Sequence, residues 1–436
     1  MRFHEAFVAC TATLLLASGV RAQQAAAGAP AGVPILIRDV TVIDGTGAPP
    51  RAHADLLIRD GHIAAIRGTG APESGSAGAD SVIDGRGLFA IPGLIDAHVH
   101  LGTDPWNDRA DALRHALDGG VTSVFDLAGD ARATGDLQRA VVAGQIPGPH
   151  IYYVALFGGP DFFTDPRTVD ASRGYAPGTA PWMQAVTDTT DFAQAVAEAK
   201  GTGAAGLKLY AALDSLEVTR ATAEAHRQGL RVIAHATTFP GIPSDLVAAG
   251  ADMLAHTPYL VWQGSPRSDD WRHRASGDFL HVPAGSPVIE RLLESMRDHG
   301  VALNPTLWIF ANELPHDSVS RVRTPWMYAV TRRAAQLGVR IVAGTDDMYD
   351  PKVDSLPVIH RELETLVADA GLTPLQAITS ATQNGAWAIG IADSVGTLAP
   401  GRVADVVLLG ADPAADIRNT RTIRVVIEGG RVVRRP

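Results

Sequence analysis

The chain has 436 residues, of which 46% are hydrophobic and 19% are charged, so it has enough apolar material for one large core or two ordinary ones. Its formal charge of −10 has the wrong sign for a protein that binds nucleic acid or anionic lipid through phosphate groups, and we expect neither partner. Beyond the N-terminal segment every apolar run is interrupted by charge, glycine or proline, which excludes a membrane span.

Residues 1–22 have the pattern of a cleavable signal peptide. Arg2 supplies a positive start, residues 6–20 form an apolar stretch, and small residues surround Ala22, where a signal peptidase needs them. We therefore predict cleavage after Ala22 and a periplasmic or secreted protein. The alternative is a buried N-terminal helix, but the Ala/Gly/Pro-rich segment 23–33 is typical of a linker and would leave such a helix without a partner.

Cys10 is the only cysteine of the chain, and it lies within the predicted signal peptide. The exported protein would then have no disulfide, no thiolate metal ligand and no cysteine nucleophile. Lipidation of Cys10 is disfavoured because the main apolar run follows this residue instead of preceding it.

Short β-branched segments occupy both ends of the mature chain. Between residues 34 and 90 they alternate with Asp-Gly and other glycine-rich turns, and the same sequence pattern recurs in residues 392–436. These two segments predict one small β-sandwich domain built from both termini.

The middle of the chain, residues 91–391, alternates short apolar runs with amphipathic, alanine-rich stretches. Residues 191–200 and 216–228 are two stretches that we predict to be helices. Eight candidate strands separated in this way predict an α/β fold of the (β/α)₈ TIM-barrel type.

Metal-competent side chains end four of the candidate barrel strands. They are His98, His100, His235, His256 and Asp346. Alternate residues of a strand share a face, so the two histidines of the His-x-His pair point the same way. A single histidine at a strand end is more often a hydrogen-bonded core residue than a ligand, but recurrence at the carboxyl ends, where barrel enzymes carry their chemistry, favours a metal site.

Lys208 lies in the middle of the apolar strand Gly206–Tyr210 in a chain that has only three lysines. A buried ammonium there would cost several kcal/mol or lose its proton. A neutral amine can react with CO₂ to form a carbamate that bridges two cations, which arginine cannot do. The alternative is an ion pair with a nearby carboxylate such as Asp126; we favour the carbamate, because the surrounding ligands need a bridge.

This combination resembles the metal-dependent amidohydrolase superfamily. His-x-His on strand one, lysine on strand four, histidines on strands five and six and aspartate on strand eight are framed by Ile91–His100 and by the C-terminal segment Gly396–Val407. The resemblance covers nearly the whole mature chain and is nearest to the imidazolonepropionase-like branch that includes bacterial dipeptidases. Within this resemblance, imidazolonepropionase itself looks like an enzyme with one metal ion and no bridging lysine. The presence of Lys208 therefore argues against that particular activity.

The resemblance implies a centre of two divalent metal ions, with Zn²⁺ favoured over Mn²⁺ or Co²⁺, and an N6-carboxylated Lys208. One metal would be held by His98, His100, Lys208 and Asp346, and the other by Lys208, His235 and His256. A metal-bridging hydroxide would attack the substrate carbonyl, and Asp346 would be the catalytic proton shuttle.

We accordingly expect a hydrolase of carbon–nitrogen bonds acting on a small amide such as a dipeptide or an N-acyl amino acid. An ester, lactone, carbamate or phosphotriester substrate remains an alternative on the same centre, and a non-catalytic, metal-binding exported protein is a more remote one. The sequence leaves a homo-oligomer open.

Many aromatic residues lie in the long connections between the candidate barrel strands. They predict a substrate with an apolar or aromatic portion. Tyr210 and Trp308 are the candidate substrate-binding residues. Packing of a lid alone, or of Tyr210 in the barrel wall, would explain the same residues.

The first testable prediction concerns processing. Intact-mass analysis of the exported protein is expected to give Gln23 as the first residue, because the peptidase site follows Ala22. Exported protein that retains Met1 would contradict the prediction.

Overall fold

A computed structural model of the chain describes residues 33–70, 81–102, 106–312, 319–347 and 355–434. The predicted signal peptide, residues 1–22, and residues 23–32 of the predicted linker lie outside these ranges. None of the helices in the described ranges is long and apolar enough to cross a membrane.

Five strands precede the barrel, and tight turns set their pairing. They are β1 (Ile35–Val42), β2 (Arg51–Arg59), β3 (His62–Gly68), β4 (Ser81–Asp84) and β5 (Phe89–Pro92). Antiparallel β2 and β3 are joined by Asp60 and Gly61 alone, and both residues have positive φ, 50° and 77°. Two-residue turns of this kind match the right-handed twist of the strands, which is why Asp-Gly is a hairpin signal.

The next nine strands form a second sheet. They are β6 (Leu94–Val99), β7 (Val121–Asp126), β8 (His150–Gly158), β9 (Thr179–Ala180), β10 (Met183–Ala185), β11 (Gly206–Leu209), β12 (Arg231–His235), β13 (Met253–Ala255) and β14 (Ala302–Asn304). The seven strands β6–β8 and β11–β14 pair in parallel in chain order, and β9 and β10 are added beside β8. This order is that of a TIM barrel.

Helices connect the barrel strands. They are α1 (Trp106–Asp118), α2 (Ala131–Val142), α3 (Pro166–Ala171), α4 (Phe192–Gly201), α5 (Ser215–Arg227), α6 (Pro243–Ala248), α7 (Pro287–Asp298), α8 (Leu307–Asn312), α9 (Ser320–Leu337), α10 (Ile359–Ala368), α11 (Pro374–Ser380) and α12 (Gln383–Ile389). The predicted helices 191–200 and 216–228 correspond to α4 and α5. Each begins after an aspartate whose side chain accepts a backbone hydrogen bond, Asp191 for α4 and Asp214 for α5.

The eighth barrel segment closes the ring without forming a regular strand. Ile341 forms a single bridge with Leu303, and the Val342 amide donates to the Leu303 carbonyl at 2.9 Å. On the other side the Asp346 amide donates to the His98 carbonyl at 2.8 Å. The segment therefore joins β14 to β6, and it carries Asp346 to the side of the first strand.

Three C-terminal strands return to the first sheet: β15 (Val406–Leu409), β16 (Ile423–Glu428) and β17 (Arg431–Arg434). β15 pairs antiparallel with β5, so the sheet order is β17-β16-β15-β5-β1-β2-β3, with β4 beside β1. One apolar cluster contains residues from both ends of the chain, among them Ile37, Leu56, Val406 and Ile427. The predicted fold class, an α/β barrel with a separate β structure built from both termini, is confirmed.

Close approach of the eighth segment to β6 requires glycine at position 344. A Cβ atom there would lie 2.6 Å from the Cβ and 2.7 Å from the amide nitrogen of His98. Both contacts are shorter than normal van der Waals distances and one is to backbone, so a side chain would push the eighth segment away from the first strand.

Gly344→Ala is therefore expected to lower the free energy of unfolding by about 1–3 kcal/mol, as overpacking does in other cores. Gly285→Ala is the matched control, because its Cβ would meet no heavy atom within 4 Å. Urea unfolding of the two variants and wild type measures the difference. Equal loss in both variants would contradict the packing argument.

Candidate metal centre

Six predicted ligands meet at the carboxyl ends of the barrel strands. His98 lies in β6 and His100 just beyond it, Lys208 lies in β11, and His235 is the last residue of β12. His256 and Asp346 follow β13 and the eighth segment. All six residues except His98 line one cavity of about 700 Å³.

Asp346 lies at the centre of the group. Its Oδ1 atom is 2.9 Å from Nε2 of His98 and 2.9 Å from Nε2 of His100. Its Oδ2 atom is 3.9 Å from Nδ1 of His256. His98, His256 and Asp346 each offer a ligand atom within 4.8 Å of the others, a spacing that a metal ion could bridge. His235 lies outside this group of three but beside it, with its ring centroid 4.6 Å from that of His256.

A polar chain fixes the His98 ring. Asn304, the last residue of β14, donates its Nδ2 hydrogen to the carbonyl of Val342 at 2.9 Å, so its Oδ1 accepts from Nδ1 of His98 at 2.6 Å. The proton on Nδ1 leaves Nε2 as an acceptor facing Asp346, and buried Nε2 has no hydrogen bond. A histidine held through its outer nitrogen in this way is the usual arrangement of a metal ligand.

The other histidines of the centre are also held by contacts outside it. His100 donates from Nδ1 to the Ala128 carbonyl at 3.1 Å, which leaves its Nε2 as a second acceptor facing Asp346. Nδ1 of His256 is 2.9 Å from the hydroxyl of Thr306. Because two imidazole acceptors and a carboxylate oxygen converge, only a proton or a cation can satisfy them together.

Lys208 is fully buried, and its Nζ atom has no hydrogen-bond partner. Burial lowers the pKa of this amine from 10.5 to about 7. The alternative ion pair with Asp126 is not formed. Asp126 instead accepts hydrogen bonds from the hydroxyl of Thr134 at 2.9 Å and from the amide of Ala128 at 3.2 Å.

The charge states of the group suit a cation. Burial lowers the pKa of His98 to about 4 and the pKa values of His235 and His256 well below the ordinary value, so these rings are neutral at pH 7. Burial would raise the pKa of Asp346, but the neighbouring histidines outweigh it and keep the pKa well below the ordinary value. Burial would also lower the pKa of His100, but the hydrogen bond to Asp346 and the charges of Asp346 and Asp126 outweigh it and raise the pKa. The centre therefore presents three neutral imidazoles and one carboxylate paired with His100.

Left-handed backbone conformations cluster at the centre. His256, Thr306 and Asp346 have positive φ values of 73°, 50° and 62° although none is glycine. Each such residue costs about 1–3 kcal/mol and persists only where the surrounding structure enforces it. These conformations therefore lower the stability of the fold, and they direct the three side chains toward the centre.

Several positioning residues were not identified from the sequence. Asp96 is buried on β6 and accepts hydrogen bonds from the amide and hydroxyl of Thr345 at 3.0 and 2.8 Å, which ties the segment that carries Asp346 to the first strand. Asn304 and Thr306 support His98 and His256. Their signal was a polar residue at the end of an apolar strand, the same signal that identified the histidines.

The two predicted substrate-binding residues have different positions. Tyr210 lines the cavity, with its ring stacked on Phe162 at 4.3 Å and tilted against His235 at 3.9 Å. Trp308 is buried and is not among the residues that line the cavity, where its neighbours Ile309 and Phe310 lie instead. The Trp308 amide, with that of Leu307, donates to buried Glu362, which fixes the start of α8.

Comparison with known proteins identifies the family. The model of the amidohydrolase family matches residues 89–433. Imidazolonepropionase from Symbiobacterium thermophilum is 28% identical over 395 residues, which are 86% of this chain and 85% of that protein. Ochratoxinase from Aspergillus niger is 27% identical over 441 residues, covering 91% of this chain and 85% of that protein.

Solved structures share the fold. The crystal structure of A. niger ochratoxinase aligns with a TM-score of 0.73 at 23% identity, covering 92% of this chain and 96% of that chain. A Xaa-Pro dipeptidase with methionine bound in its active site aligns with a TM-score of 0.71 at 21% identity, covering 92% and 99%. The predicted superfamily resemblance is confirmed.

The depressed pKa of Lys208 has a measurable consequence for stability. Between pH 7 and 10.5 the unfolded lysine holds a proton that the folded amine has lost, so unfolding takes up a proton and stability rises with pH. Metal-free wild type in CO₂-free buffer should therefore gain up to about 1.4 kcal/mol per pH unit above pH 7 relative to Lys208→Met. Urea unfolding of both proteins between pH 6 and 9 measures this. Parallel pH profiles would contradict a buried neutral amine.

Proposed function

The chain belongs to the amidohydrolase family of hydrolases, and from this premise we propose that it is an exported amidohydrolase that uses two divalent cations to hydrolyse a dipeptide or an N-acyl amino acid. The observation that carries the proposal is the Lys208 amine, which is buried without a partner beside the histidines and Asp346. Export rests on the signal-peptide pattern of residues 1–22.

Lys208 and the convergent acceptors fit a pair of cations. The neutral amine of Lys208 would form an N–C bond to CO₂ and release one proton to solvent. The resulting carbamate has a single negative charge shared by two oxygen atoms, in place of an amine that has no partner. His98, His100 and Asp346 would then share one cation with the carbamate, and His235 and His256 would share the other. Imidazole and oxygen ligands favour Zn²⁺, Mn²⁺ or Co²⁺ without selecting sharply among them.

When bound, these cations would polarise the substrate carbonyl and lower the pKa of water to about 7. Asp346 would accept the proton of the attacking water through a carboxylate oxygen and deliver it to the leaving nitrogen. One C–O bond forms and the C–N bond breaks, so the products are a carboxylate and an amine. The contacts of Asp346 with His98 and His100 orient its carboxylate for both transfers.

The cavity supports a substrate with an apolar or aromatic portion. Its volume of about 700 Å³ lies within the range of small-molecule sites. Phe162, Tyr210, Tyr259 and Phe310 form aromatic walls beside the histidines. The Xaa-Pro dipeptidase, whose fold this chain shares, acts by its name on a dipeptide, which is an amide of an amino acid.

Asp346→Asn tests the proposed catalytic role. Asparagine keeps the size of the side chain and one oxygen that can contact a metal, but it removes the charge and the ability to accept a proton. Metal content should fall modestly, whereas kcat should fall by about 10²–10⁴-fold, the contribution of a positioned general acid–base group.

Elemental analysis and turnover on a panel of dipeptides and N-acyl amino acids measure the two effects on the same samples. Chelation should abolish wild-type turnover, and Zn²⁺, Mn²⁺ or Co²⁺ should restore it. Equal turnover in Asp346→Asn and wild type would remove Asp346 from the mechanism. If metal-loaded wild type turned over esters, lactones or phosphotriesters but no amide, the alternative substrate classes would replace the proposal.

A further inference from the structure

Arg274 is a cation that projects into the same cavity from the long connection after β13. It lies on a 3-10 helix, Trp271–Ser276, and lines the cavity with its side chain half-buried. Its backbone carbonyl accepts a hydrogen bond from the Trp262 indole at 2.8 Å. Its guanidinium donates to the Trp271 carbonyl at 3.3 Å and packs 5.5 Å from the centroid of that indole. These contacts hold the side chain in place before any ligand arrives.

Within the described ranges Arg274 forms no ion pair with a carboxylate, and this distinguishes it from Arg167, the other arginine that lines the cavity. Arg167 donates two hydrogen bonds to Asp165, at 3.0 and 2.8 Å, so its charge is already compensated. Asp170, an acidic residue of the cavity wall, lies 3.8 Å from Arg173. Asp165 also interacts with the charge of Arg274, but without an ion-pair contact. Of the two arginines that line the cavity, Arg274 is therefore the one whose charge is less compensated.

Arg274 is also near the candidate metal centre. Arg274 and Tyr259 line the same cavity, and the ring centroid of Tyr259 is 5.5 Å from that of His235 and 5.4 Å from that of His256. Burial raises the pKa of the Tyr259 hydroxyl, and the positive charge of Arg274, followed by a hydrogen bond to it, opposes this effect. The protonated hydroxyl and the guanidinium together form a group of donors one tyrosine ring away from the histidines.

We propose that Arg274 and the Tyr259 hydroxyl bind the free carboxylate of the amino acid that leaves as the amine, so that the enzyme selects N-acyl amino acids and dipeptides over amides without an acid group. The inference rests on the proposed function and assigns its specificity. Arginine suits this task because its planar fork matches both oxygens of a carboxylate. An anion also needs compensation in an aromatic cavity, where burying it unpaired would be costly.

The closest rival role for Arg274 is stabilisation of charge that develops on the reacting carbonyl. The two roles differ in what the substrate must contain. A carboxylate site affects only substrates that carry the acid, whereas a residue that stabilises the reacting oxygen affects every amide. A pair of substrates that differ only in the carboxylate therefore separates the roles.

The experiment compares N-acetyl-phenylalanine with N-acetyl-phenethylamine, which is the same compound without the carboxylate. Metal-loaded wild type should prefer the acid by about 10- to 100-fold in kcat/KM, mainly through KM, the range expected for charge-assisted hydrogen bonds. Arg274→Gln should reduce the preference to near unity, because kcat/KM falls far more for the acid than for the neutral amide. Arg267→Gln, at an exposed position of the same connection, is the matched control and should keep the preference.

A binding measurement decides the question without turnover. In an Asp346→Asn background, calorimetry should show that Arg274→Gln weakens binding of N-acetyl-phenylalanine by a similar factor and leaves N-acetyl-phenethylamine unchanged. No preference in wild type, or an equal loss for both compounds in Arg274→Gln, would overturn the assignment of Arg274. Absence of hydrolysis of either compound and of the dipeptide panel would overturn the proposed function, and the binding comparison would still decide the role of Arg274.

Discussion

A lysine amine buried without a hydrogen-bond partner is the constraint on which this structure depends. Lys208 lies in an apolar parallel strand, and burial removes the hydration that its ammonium form requires. Nothing in the described surroundings donates to the nitrogen or accepts from it. The lost hydration lowers the stability of the fold unless another interaction compensates for it. A carbamate would provide this compensation, because it would convert the amine into an anionic ligand beside three neutral histidines.

The rest of the barrel mouth holds the histidines and Asp346 in place near Lys208. Asn304 and Thr306 from the seventh strand and its continuation hold His98 and His256, and Asp96 ties the eighth segment to the first strand. The irregular eighth segment follows from this arrangement. Gly344 allows the segment to pass against the backbone of His98, and the left-handed conformation of Asp346 turns its carboxylate toward the histidines.

The sequence was sufficient to predict the barrel and the convergence of six side chains, because strand ends carry both a hydropathy signal and a residue-type signal. It did not identify Asn304 or Asp96, since amides and carboxylates occur in many roles and only the three-dimensional pairing distinguishes these two. Trp308 was predicted as a substrate contact from its position in an aromatic connection. Helix α8 instead directs Ile309 and Phe310 into the cavity. Which residues face the cavity depends on where the helix begins, and the hydrogen bond from the Trp308 amide to Glu362 fixes that position. Arg274 could not be distinguished from other surface arginines until the ion pairs of its neighbours were known.

The most direct measurement of the central claim is carbon-13 NMR of metal-loaded protein prepared with labelled bicarbonate, combined with a metal count on the same sample. The account predicts one carbamate resonance and about two metal ions per chain, with the resonance absent and the second metal lost in Lys208→Arg. Two tightly bound metals without a carbamate resonance, or an unchanged metal count in Lys208→Arg, would contradict a bridging role for Lys208.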